Sequence, residues 1–341
     1  MVALLIGALA ALYQPLPTGK LEVHILADGS AWAVTKSDVS VPADGITLLW
    51  DLSPLNGDAS RARLALPPTL ELVWSAVRGS AALWHVQPAD GVPRRGKLQA
   101  AAPLRDLKAT WVHRVTVAGD RVRWIEAVRL SGWKGQVSGP ASVVVESVKF
   151  SVDLWPGRAV LVPIRAYDAI RFREVVRWDS KDTSAGCVRT LVIERPANSA
   201  FGRQRIRAGE LIVARGRSEA RMSFGGAAPG QTVELAAGRA EGITVSRVRA
   251  TSKQINVRQD VHRRVAAYDE QIDYEYAVMN GSPRPAILEI VEHPPRGWKV
   301  TASNHPWRRK DADTLILTVE LKPRERVTVK ISVMRANQMP Q

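Results

Sequence analysis

From Ile272 to Val333 the chain alternates. Ile272, Tyr274, Tyr276 and Val278 are separated by Asp273, Glu275 and Ala277. Leu315, Leu317, Val319 and Leu321 follow. Val327, Val329, Ile331 and Val333 come last, with Thr328, Lys330 and Ser332 between them. A period of two sends one set of side chains to a buried sheet face and the other to water. Asn280-Gly281, Pro294-Pro295-Arg296-Gly297 and the polar loop Asn304 to Asp313 read as the turns between these runs. The pattern predicts an antiparallel β-sandwich over residues 246–336.

The rest of the chain reads the same way, more faintly. Leu21, Val23 and Ile25 alternate up to the turn Asp28-Gly29. Ile46 to Trp50 is a continuous apolar strand, and Leu70, Leu72, Val73 and Trp74 give another. Turn formers recur every eight to twelve residues, the spacing of a sandwich or barrel. Trp111, His113, Val115 and Val117, then Gly119-Asp120, then Val122 and Trp124 form a hairpin pattern. No long segment has helical spacing, so the fold class is all-β, a set of tandem antiparallel β-sandwich domains. Gln14-Pro15-Leu16-Pro17 reads as a linker. Pro88 to Arg95 with Ala100 to Pro103 reads as a connection between domains. The divisions are then 1–19 for an apolar leader, 20–104 and 105–245 for two β domains, and 246–336 for the sandwich.

The leader, Val2 to Tyr13, is too short to span a bilayer and fits the apolar core of an export signal, although no basic residue precedes it. Nothing later is long enough for a membrane span. An exported chain would work outside the cytoplasm, secreted or at the cell surface. Cys187 is alone, which excludes an intrachain disulfide and a cysteine-based zinc site, and a buried inert thiol is its expected state.

Charge changes the picture in one respect. The net charge is +15, with 36 Arg against 12 Lys. Residues 1–170 carry 18 basic and 14 acidic groups, and residues 171–341 carry 30 and 19. The second half therefore favours acidic partners. A solvated Arg-rich surface, as in heat-stable proteins, is the plainer reading. If extended, Arg203, Arg205 and Arg207 would share one strand face and form an anion or glycan site. Trp307 beside Arg308, Arg309 and Lys310 is the second such candidate, a ring next to cations that could stack on a sugar.

Catalytic signatures are lacking. Gly135-Gln136-Val137-Ser138-Gly139 has its serine one place from the nucleophile-elbow position, and no phosphate loop or dinucleotide fingerprint occurs. Glu292, His293, His305, Asp311 and Asp313 offer metal-ligand chemistry at spacings that match no helical ligand motif. Of these, His293, His305, Asp311 and Asp313 are the weak candidates for a metal-dependent hydrolase, and turn geometry set by the following prolines is the stronger reading. No cofactor is implied. Asn280-Gly281-Ser282 has the form of a glycosylation sequon on an exposed hairpin turn.

Specific wording near the end is similar to a known family. Glu292-His293-Pro294-Pro295-Arg296-Gly297-Trp298, Ser303-Asn304-His305-Pro306-Trp307 and Lys310-Asp311-Ala312-Asp313-Thr314-Leu315 resemble the C-terminal end of the mucoidy-inhibitor-A-like proteins. These carry the C-terminal domain of unknown function four-one-three-nine. Asn198 to Gly202, Ile206 to Glu210 and Val23 to Pro42 resemble further passages of that family. Tyr-rich strand ends are partly replaced here by Trp and Arg, and the coiled coil of longer members is absent. The resemblance implies an exported all-β protein with an immunoglobulin-like C-terminal domain and no assigned activity. The expectation is a non-enzymatic structural or interaction module at the cell surface, with protein partners or self-assembly by strand pairing. A polyanion- or glycan-binding module for acidic glycans is the alternative, and neither specific nucleic acid nor an integral membrane span is expected.

Overall fold

The computed structural model describes residues 14–16 and 21–339. The apolar run read as an export signal lies outside them. Strands hold 66% of the chain and helix 4%, so the all-β class is observed. The chain begins with β1 (Gln14–Pro15), β2 (Glu22–Ile25), β3 (Ser30–Val41), β4 (Ile46–Asp51), β5 (Arg63–Ala65), β6 (Leu70–Arg78) and β7 (Ala81–Pro88). The middle holds β8 (Arg94–Ala118), β9 (Arg121–Ser131), β10 (Gly139–Val145), β11 (Val148–Leu154), β12 (Val160–Arg171), β13 (Arg173–Asp179) and β14 (Val188–Ile193). A four-residue helix α1 (Ala200–Arg203) precedes β15 (Gly209–Arg215), β16 (Ser218–Phe224) and β17 (Val233–Arg239). The chain ends with β18 (Ile243–Gln259), β19 (Val265–Asn280), β20 (Ala286–Glu292), β21 (Lys299–Ser303), β22 (Trp307–Asp311), β23 (Thr314–Leu321) and β24 (Arg326–Gln338).

Four sheets result. One runs β1-β4-β7-β6. A large one runs β11-β10-β2-β3-β8-β15-β16, with β5 and β9 also on β8, and β12 on β9. The third runs β17-β14-β13-β20-β23-β22 and the fourth β18-β19-β24-β21. Most strand pairs are antiparallel, as expected, but some of the sheets are mixed. Parallel pairs join β1 to β4, β2 to β10, β8 to β15 and β13 to β20. Each joins strands far apart in sequence, which is what a parallel pairing requires, because its connection must cross the sheet.

Two readings of connecting segments are overturned. Gln14 and Pro15 are no linker: they pair with Leu48 and Leu49, and Leu16 behind them is buried. Of the proposed connection between domains, residues 89–93 are the short turn from β7 to β8, whereas Arg94, Arg95 and Ala100 to Pro103 lie in the first half of β8, which pairs with β3 and β5. Its alanines are weak strand formers, but Ala100 and Ala102 are fully buried between packed sheets, where a larger side chain would not fit. Strand pairing therefore runs across residue 104. It also runs across residue 245, since β13 and β14 share a sheet with β20, β23 and β22.

Three cores fill the spaces. The first packs Leu48, Trp50, Trp84 and Val86 of the small sheet against Val23, Ala33, Leu98 and Val143 of the large one. The second joins Val115 and Trp124 to Leu191, Ile193, Leu235 and Phe201. The third is the C-terminal sandwich. Tyr274, Tyr276, Val278, Val329, Ile331 and Val333 from one sheet meet Trp178, Leu288, Ile290, Leu315, Leu317 and Val319 from the other. The alternating runs of the sequence thus face inward as predicted. Each large apolar side chain so buried contributes roughly 1.5–3 kcal/mol.

Smaller expectations divide. Cys187 is buried, and desolvation pushes its thiol up to about 11, so it is inert at neutral pH. Asn280 is fully buried rather than exposed. Its amide donates to the carbonyls of Arg284 and Lys322, and its oxygen accepts from Ser282 N. A residue tied into the turn this way cannot receive a glycan without breaking it. No helix among the described residues is long and apolar enough to cross a membrane.

Candidate functional site

The most unusual surface is the outer strand of the four-stranded sheet. β6 begins where Leu70 N bonds back to Pro67 O, after a pair of prolines, and ends at the turn Gly79–Ser80. Gly79 has φ +61°, which turns the chain back into β7. β6 pairs with β7 on one side and with no described strand on the other. Its outward N–H and C=O groups are therefore open to another strand.

Its side chains are open as well. Cross-strand partners share a sheet face. Leu72 stands opposite Val86, and Val77 opposite Ala82. Val86 and Ala82 are buried, yet Leu72 and Val77 are 46% and 51% exposed. The core-facing side of the sheet continues onto β6 while the core beneath it stops. On the opposite face Trp74 stacks on His85, rings nearly parallel with centroids 5.6 Å apart, and remains 43% exposed. A bulge between Leu72 and Trp74 leaves Trp74 to Arg78 as the regular stretch. Glu71 near one end is held by the side chain of Gln87, and Arg78 closes the other end.

The residues singled out from sequence are distributed differently from expectation. Arg203, Arg205 and Arg207 do not lie on a strand. Arg203 ends α1, whose start is capped by Ser199 Oγ accepting from Gly202 N. Its guanidinium turns back to the carbonyl of Asn198. Arg205 and Arg207 follow in a loop pinned by the Ile206–Ala227 bridge. Arg207 donates from Nε and Nη2 to Glu146 Oε1 at 3.0 and 2.9 Å. The helix cap and the bridge set the backbone here, which breaks the strand period.

The polar loop from Asn304 is likewise a strand from Trp307 onward, β22, paired with β23 at the sheet edge. Trp307 is half-exposed and packs edge-on against Trp298. Arg309 lies over the Trp298 ring at 4.2 Å and donates to its carbonyl, and Arg308 reaches Glu289 at 3.6 Å. Lys310 is exposed beside them.

The histidines and carboxylates of the same region separate. His293 Nε2 meets Asp179 Oδ1 at 2.9 Å, and its Nδ1 lies 3.3 Å from Thr314 Oγ1. His305 bonds to Asn304 on the surface, and Asp313 pairs with exposed Arg296. Asp311 accepts from Asp313 N, and its bond from Thr314 holds its carboxyl below the usual range. Among the described residues no group of three or more His, Cys, Asp and Glu is placed to hold a metal ion.

All three buried glutamates among the described residues, Glu126, Glu289 and Glu292, were missed from sequence as buried groups, and Glu289 pairs with Arg177 at 2.6 Å. Glu292 was noticed only as a metal candidate. It is 2% exposed and accepts from Ser180 Oγ, Arg247 Nη2, its neighbour His293 N and the Tyr276 hydroxyl. Glu126, 1% exposed, has among the described residues only Arg165 as a partner, at 3.4 Å from Oε2. Its Oε1 is unpartnered and lies 3.8 Å from His113 Nδ1, also unpartnered. No local motif marks any of them, because their partners come from other strands.

Comparison of the chain with protein-family models, with curated proteins and with solved structures finds no match.

Proposed function

We propose that the protein is a non-enzymatic interaction module that associates with a second copy of itself by pairing through β6. The observation that supports this reading is the uncovered core-facing side of that strand, Leu72 and Val77, on an edge with free backbone groups. An added strand satisfies the backbone groups, and its side chains shield the valine and leucine. Antiparallel copies also bring the Glu71 end of one strand to the Arg78 end of the other, so the charges are complementary. A closed two-fold pair gives a dimer, and a second free edge used in the same way would extend it into a filament.

Location at the cell surface, outside the cytoplasm, belongs to the same proposal, as does kinship with the mucoidy-inhibitor-A-like proteins. Both draw on the sequence wording and the apolar start of the chain. Sedimentation velocity over a concentration series tests the association, with Leu72→Lys/Val77→Lys as the variant. The wild type should show a concentration-dependent dimer or larger species and the variant a monomer. A wild type that stays monomeric throughout removes the proposal. Cell fractionation with N-terminal sequencing of the mature chain tests the location.

A further inference from the structure

Two clefts, of about 520 and 740 Å³, meet at Ala27, Trp111 and Arg207. The smaller runs past the β10–β11 turn, Glu146 and Ser147. The larger runs between the Arg205–Ala208 loop and the glycine-rich loop from Gly225 to Gln231. The far wall is closed by the bridge in which Ile206 and Ala227 exchange both backbone bonds at 3.0 Å. Gly226, at φ +84°, makes this close approach feasible: a methyl there would come within 2.8 Å of Ile206 O.

The lining is rich in unused donors. Arg205 is exposed, and the Trp111 indole N–H and the Gln231 amide NH₂ lack hydrogen-bond partners among the described residues. Gln231 is oriented for this because its Oε1 already accepts from Ala228 N at 2.9 Å. Glu146 is the one carboxylate among the described lining residues, and it is neutralised. Arg207 takes Oε1 and Arg165 takes Oε2. His113 Nε2 in turn donates to the Arg207 carbonyl at 2.9 Å, so the backbone beneath the groove is fixed. A groove offering donors and positive charge, with its one acid already paired, selects a ligand rich in acceptors and negative charge. Its extent, two clefts that share Ala27, Trp111 and Arg207 in their walls, suits a chain rather than a single ion. Trp111 is only 9% exposed, too little to present a ring face for a base to stack on.

We infer that this groove binds an acidic oligosaccharide, with Arg205 pairing with a carboxylate and with Trp111 and Gln231 donating to hydroxyl or ring oxygens. The inference is independent of strand pairing at β6, which lies on another sheet.

Isothermal titration calorimetry with an oligogalacturonate hexamer tests it, set against neutral maltohexaose, hexathymidylate and inorganic phosphate. The oligogalacturonate should bind, weaken as salt rises, and exceed maltohexaose by about tenfold or more. Arg205→Glu, a change at an exposed residue, should weaken binding about tenfold or more, the loss expected when a charge-assisted hydrogen bond is replaced by repulsion. Gln231→Ala should weaken it less, and Leu72→Lys/Val77→Lys should leave it unchanged. Absence of oligogalacturonate binding overturns the inference, as does equal binding of maltohexaose, or an affinity indifferent to Arg205→Glu. Phosphate binding as tightly would reduce the groove to a single-anion site, and tighter hexathymidylate binding would reassign it to nucleic acid. Either result also overturns it.

Discussion

Among the glutamates the protein buries, Glu292 and Glu126 are treated in opposite ways. Glu292, in the C-terminal sandwich, receives bonds from Ser180, Arg247, Tyr276 and its neighbour's backbone. Glu126, in the central core, keeps one long contact to Arg165 and leaves an oxygen facing an equally unpartnered histidine nitrogen. A buried charge is tolerable when saturated and costly when it is not. The first therefore acts as a fixed joint between sheets: β20 carries Glu292, and β18 and β19 carry its partners Arg247 and Tyr276. The second is an incomplete network one ion pair away from the Glu146–Arg207 groove. Burial pushes the Glu126 carboxyl up, against the opposing pull of Arg165. Burial alone does not distinguish the two carboxylates; the count of donors around each one does.

The strongest way to break this contrast is Glu292→Ala. It strands Arg247, Tyr276 and Ser180 without their acceptor and should cost about 3–5 kcal/mol in urea unfolding. A loss below about 1 kcal/mol would mean that the joint bears no weight.

Next comes pH. Burial holds His113 down to about 4 from an ordinary 6.5. Between those values the unfolded chain binds more protons than the folded one. His113 thus contributes stability that is complete above pH 6.5 and is lost as pH falls toward 4, up to about 3 kcal/mol. Glu126, raised by burial, works in the opposite sense as pH climbs above its ordinary value. The difference in slope between wild type and His113→Asn isolates the histidine, and identical slopes would refute its burial as a neutral group.

Tyr276→Phe should cost about 1.5–3 kcal/mol, since it deletes one bond to a charged acceptor and no packing volume. Thermal or urea unfolding that places it level with wild type would remove Tyr276 from the joint. The smallest effect belongs to Glu126→Gln. It discards a charge that is poorly paired and should stay within about 1 kcal/mol of wild type. A loss as large as that of Glu292→Ala would erase the distinction between the two sites.

Much of the C-terminal sandwich was legible because its period is local. Tyr274, Tyr276 and Val278 announce a buried face by spacing alone, and they occupy one. β8 was illegible over Ala100 to Pro103 because alanine is buried there by tertiary packing, which local propensity does not report. Arg203 to Arg207 read as a strand because the Ser199 cap and the Ala227 bridge are not encoded in arginine spacing. The groove was half legible. Arg205 and Arg207 stood out, whereas Trp111 and Gln231 come from separate parts of the chain, and the Gly225-Gly226 pair was the only local hint. β6 was read as a strand, but its position at an edge is a property of the whole sheet. The consecutive apolar run Leu72-Val73-Trp74, out of step with alternation, is its trace in the sequence.

The parallel pairing of β13 with β20 has a temporal side. Val176 bonds alongside Leu288, and Asp179 alongside Val291, across more than a hundred intervening residues. A ribosome adding 5–20 residues per second takes roughly 6–22 s to supply the second strand after the first. Through that interval one flank of β13 waits without its neighbour, the state most open to capture by another nascent chain. The C-terminal sandwich is thus the last region to close, and the speed of translation between residues 180 and 292 should govern how much of the protein is recovered folded.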